Sequence, residues 1–98
     1  MNRTDLEARW LALTREDMPA AADARDWPVR FDHCFQRILL DHAVEGPWRE
    51  TIPAPAYRNA TDAQLKAAVE LGEEALSGEA DLAALNRRSL AWRGKLRD

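Results

Sequence analysis

Apolar residues recur along this chain at intervals of three and four, the period of a helix, in four separate stretches. In the first, Leu6, Trp10 and Leu13 share a face while Glu7, Arg9 and Arg15 fall elsewhere. Thr4 and Glu7 have capping-box spacing, so the pattern predicts a helix over 4–16. Met18-Pro19 interrupts it, because proline cannot donate to a running helix. Pro19 then opens a short second helix over Ala20–Ala24. Asp26-Trp27-Pro28 is a junction, with Trp27 pushed towards an extended conformation by the proline after it. From Pro28 a central helix is expected, ending near the stop signal Gly46-Pro47. Helical spacing puts Phe31, Cys34, Phe35, Ile38 and His42 on its core face and leaves Asp32, His33, Arg37 and Asp41 outside that face.

Residues 46–60 carry three prolines together with Trp48, Ile52 and Tyr57. A disordered linker would not hold three large apolar side chains in so short a run, so this is read as an ordered loop packed on the body, with Trp48 as its anchor. Thr61 and Gln64 form a second capping pair. Leu65, Ala68, Val69, Gly72, Ala75 and Leu76 then make a helical face that ends at Ser77-Gly78. Gly72 on that face implies close approach by another helix or a large ring. The last helix begins at Glu79 or Asp81 and reaches Trp92, with Leu82, Leu85, Ser89, Trp92 and Leu96 as its apolar edge. Arg87, Arg88 and Arg93 are read as its other side. The short Gly78 connection predicts that the last two helices form a hairpin. The expected fold is all-α: one domain, 1–98, a compact orthogonal bundle of four main helices with one long ordered loop.

Composition sharpens this picture in three ways. Ninety-eight residues make one small domain that must bury most of its large apolar side chains. A formal net charge of −3 argues against nucleic acid as a partner, although Arg87, Arg88, Arg93, Lys95 and Arg97 form a local basic set. One cysteine excludes an intramolecular disulfide and a multi-cysteine zinc site. The sequence shows no membrane span and no apolar signal segment, so a cytoplasmic protein is expected.

Chemistry has few places to sit. Asp32-His33-Cys34 with His42 resembles a thiol–base set. However, adjacent helical residues point about 100° apart, and eight positions separate Cys34 from His42 by about 12 Å along the axis. Neither a catalytic pair nor a shared metal site follows, and Cys34 is expected to be a mostly buried residue. Arg37 and Asp41 have the i,i+4 spacing of an exposed ion pair. The remaining possibility is a polar pocket between the central helix and the loop. It would be walled by Trp27, Trp48 and Tyr57 and lined by His33, Arg37, Arg88 and Arg93, with an anionic or amide-bearing ligand. No cofactor or metal is expected.

Val29-Arg30-Phe31-Asp32-His33-Cys34-Phe35-Gln36-Arg37-Ile38, Leu71-Gly72 and the run Asp81–Lys95, with Asn86-Arg87-Arg88-Ser89-Leu90 inside it, resemble a small uncharacterised family of helical bacterial and fungal proteins. The resemblance covers most of the chain from Trp27 onward. It implies that the central helix, the Asn86–Lys95 segment and the loop between them belong to one site. Some members carry an acetyltransferase label. The acetyltransferase superfamily is built on a mixed sheet with a glycine-rich acetyl-CoA loop, and neither is present in this sequence. Two function classes follow. The first is a non-catalytic protein-interaction or small-ligand-binding module, with a homodimer among its possible states. The alternative is a small enzyme or accessory subunit with a pocket near His33 and Arg37.

Overall fold

In the computed structural model, which describes residues 2–95, the first helix starts earlier than its sequence signal. Asn2, not Thr4, is its N-cap: the Asn2 side-chain oxygen accepts from the Asp5 amide at 2.8 Å. Glu7 is engaged by Arg3 Nε at 2.8 Å, so the expected box does not close. Helix α1 (Arg3–Ala12), a π turn (Leu13–Asp17) and α2 (Met18–Ala22) then follow without a break as one arm. Pro19 does not interrupt this arm. The amide of Met18 donates to the carbonyl of Leu13, five residues back. That wider turn lets a residue with no N–H and a bulky ring continue a running helix. Arg9 Nη1 spans the turn to Asp17 Oδ2 at 2.6 Å.

Residues 27–31 are non-helical, and α3 (Asp32–Val44) begins four residues later than Pro28. Phe31 is its extended N-cap and is 65% exposed, so it is not part of the core. Helix α3 contacts the π turn, α2 and three further elements, α5 (Asp62–Ser77), α6 (Leu82–Trp92) and a 3-10 turn (Trp48–Glu50). Surrounded in this way, it buries consecutive residues, Ile38 to Asp41, rather than one stripe. The expected face is therefore corrected at both ends. Phe31 leaves it, Cys34 and His42 are only half-buried, and Asp41 is fully buried. The helix stops with Glu45 in the left-handed region, φ 58°, one residue before the expected glycine.

The 46–60 loop is ordered. It holds the 3-10 turn and a single helical turn, α4 (Ala56–Asn59). Ile52, at 2% exposure, is its buried anchor, while Trp48 is half-buried against the core. Helix α5 has the predicted closed capping box of Thr61 and Gln64 and ends at Gly78, φ 90°. At Gly72 a Cβ would lie 2.5 Å from Leu13 Cδ2 and 3.0 Å from Leu39 Cδ1, so the arm and α3 both approach the glycine face as expected.

Asp81 caps α6 by accepting from the amides of Ala83 and Ala84. The expected α5–α6 hairpin is not formed: α6 packs on α3 instead. Gly78 in the left-handed region and the Asp81 cap redirect the chain, and polar links from α6 reach α3. Leu96 and Arg97 lie outside the described residues. The result is an all-α fold of four main helices, α1, α3, α5 and α6, and no strand occurs among the described residues.

Candidate functional site: an arginine-lined cleft

The site is built outwards from Asp41. Its carboxylate is fully buried, and four hydrogen bonds converge on it. Ser89 Oγ donates to Oδ2 at 2.6 Å, and Arg93 donates from Nε to Oδ2 at 2.7 Å and from Nη2 to Oδ1 at 2.8 Å. The Trp48 amide donates to Oδ1 at 2.9 Å. One side chain thereby ties α3 to the loop and to the end of α6. A buried carboxylate is tolerated only when its lone pairs are filled in this manner. The hydrogen bonds to Asp41 raise the pKa of the Arg93 guanidinium, against the opposing effect of burial.

Arg37 lies beside this centre but forms no ion pair with Asp41, contrary to the spacing-based expectation. Its Nη1 donates to Ser89 Oγ and its Nη2 to Asn86 Oδ1, each at 2.7 Å. Both partners are neutral. Burial lowers the pKa of this guanidinium, and the charge of Arg93 acts in the same direction. Gln36, one position earlier, donates to Thr14 Oγ1 at 3.0 Å, and that hydroxyl donates to the Trp10 carbonyl at 2.9 Å. The arm, α3 and α6 are thus joined by two polar chains on one side of the molecule.

A cleft of about 480 Å³ opens over these groups, within the roughly 300–1,000 Å³ of small-molecule sites. Its apolar lining includes Trp10, Leu11, Leu40, Pro55 and Ala56. Its polar lining holds four arginines, Arg15, Arg37, Arg49 and Arg93, with His33 and Gln36. Among the described residues, Arg15, Arg37 and Arg49 form no ion pair. The guanidinium of Arg49 lies over the Trp48 ring, 5.2 Å from its centroid.

Of the seven residues singled out from sequence, Trp27 is not part of the lining, its ring meeting Phe35 edge-on with centroids 5.7 Å apart, and five line the cleft: His33, Arg37, Trp48, Tyr57 and Arg93. Arg88 does not. It lies over Trp92, which meets His42 edge-on with ring centroids 4.9 Å apart. His42 Nε2 is 2.9 Å from the Leu85 carbonyl and donates to it, so this ring fastens α3 to α6. The sequence placed Asp41 at the polar edge of the central helix beside Arg37, not at a buried centre, and did not single out Asn86, Ser89, Arg15 or Arg49 for the site. The resemblance had grouped the central helix with the Asn86–Lys95 segment, and that grouping was the one signal pointing towards Asn86 and Ser89.

Cys34 is a free, half-buried thiol, more exposed than expected. Among the described residues no group of three or more His, Cys, Asp or Glu side chains gathers as a metal site would require. No helix among them is long and apolar enough to cross a membrane. No known protein family, curated protein or solved structure matches this chain.

Proposed function

We infer that this is a non-catalytic small-ligand-binding domain whose cleft takes an organic anion. The observation that supports the reading is Arg37. It is a half-buried guanidinium held by two neutral side chains, in a cleft that also gathers Arg15 and Arg49 without ion pairs. In a chain of net charge −3, three such cations sharing one concave surface repel one another. An anion relieves that repulsion, and the apolar lining would hold its body. The likeness to the small helical family belongs to this proposal, with the central helix, the loop and Asn86–Lys95 as the site shared by its members. A reducing cytoplasmic setting fits the free thiol of Cys34.

The test is thermal unfolding with matched probes of opposite charge. Benzoate at millimolar concentration should raise the melting temperature and benzylamine should not. Arg37→Gln should remove most of the benzoate effect. Equal stabilisation by both probes, or by neither, would reject an anion site.

A further inference from the structure

We propose that the ligand of this cleft is a small phosphomonoester carried on an apolar or aromatic body, a dianion rather than a monocarboxylate. This deepens the reading above and rests on it. Of the four arginines, Arg93 is neutralised by Asp41 through two hydrogen bonds. Arg15, Arg37 and Arg49 have no such partner among the described residues. A monoanion would leave two of these three positive charges uncompensated in one cleft. A phosphomonoester brings a charge of about −1.5 to −2 at neutral pH.

Geometry points the same way. Arg37 uses two of its N–H groups on Asn86 and Ser89. A guanidinium has five, so those two bonds do not exhaust its donors, and Arg37 lines the cleft. Arg15 and Arg49 come from the π turn and the 3-10 turn, so donors reach the cleft from separate elements. A tetrahedral phosphate offers three acceptor oxygens pointing in different directions, whereas a carboxylate offers two in one plane. Leu40, Trp48 and Tyr57 supply apolar surface beside these donors, which inorganic phosphate would leave unused.

The experiment compares phenyl phosphate with phenyl sulfate by isothermal titration calorimetry on the intact chain at pH 7.5 and low salt. The two probes share shape and differ in charge. Phenyl phosphate should bind about tenfold or more tightly than phenyl sulfate, and more tightly than inorganic phosphate. Arg15→Gln and Arg49→Gln change exposed side chains that make no hydrogen bond within the fold among the described residues. Each should weaken phenyl phosphate several-fold and phenyl sulfate less. Equal affinity for both phenyl probes would overturn the dianion while leaving an anion site standing. Binding of neither would overturn both. Inorganic phosphate binding as tightly as phenyl phosphate would overturn the apolar body. A phosphotyrosyl peptide binding far more tightly than phenyl phosphate would overturn a small-molecule ligand.

Discussion

Asp41 shows how much one side chain can organise. Its four hydrogen bonds fill a fully buried carboxylate, so exchanging one oxygen for an amide NH2 would set a donor against donors of Arg93 and Ser89 or of Arg93 and Trp48. Asp41→Asn is expected to destabilise the fold by about 3 kcal/mol in urea unfolding, as for other buried pairs broken on one side. Adding Arg93→Met should recover part of that loss, because the stranded charge is then gone. Glu45 gives the opposite expectation. It occupies the left-handed region, φ 58°, where a Cβ is strained. Glu45→Gly should stabilise by about 0.5–1 kcal/mol by the same measurement. The roles of Arg37 and Asp41 are not legible from spacing. Four positions apart on a helix, they look like an exposed pair. The side chains that draw them inwards lie 48 to 52 residues further along the chain.

In α5 the local signals hold because both partners of each lie within one element and nothing outside competes for them, unlike Glu7, which Arg3 takes. The Thr61/Gln64 box, the Gly78 stop and the α5 face are all contained within one helix, and each forms as read. The π turn escapes that logic, because its five-residue bonds leave no distinctive spacing and Pro19 imitates a break. Packing direction is also hidden. Gly78 predicts that the chain turns, not that α6 leaves α5 for α3. Ile52→Ala should lower stability by about 3 kcal/mol, and Trp48→Ala by less, since Ile52 is the buried anchor. Gly72→Ala should destabilise by about 1–2 kcal/mol despite the better helix propensity of alanine, because its Cβ meets Leu13. In a Leu13→Ala background the same change should become neutral or favourable, a non-additivity that chemical denaturation of the four variants measures.

Over the whole molecule, one acidic stretch and one arginine-rich cleft stand apart. The chain carries a net −3, with Glu70, Glu73, Glu74 and Glu79 exposed along and just beyond α5, while the cleft side gathers arginine. Anion affinity should therefore fall several-fold between about 50 and 300 mM salt, as calorimetry across a salt series would show. The Asp41 carboxylate has a consequence for motion as well. It is the shared fastening of the loop, through the Trp48 amide, and of the end of α6, through Ser89 and Arg93. If either segment leaves, water reaches the buried carboxylate that fastens the other, which weakens the remaining hydrogen bonds to it. Loop and helix end should therefore open as one cooperative unit. In hydrogen exchange the amides of Trp48 and Lys95 should report a common opening free energy, lowered together by Asp41→Asn while those of α5 stay slow. If the rim opens as that one unit, the cleft should pass between a closed and an open state, and a ligand should meet it in one or the other.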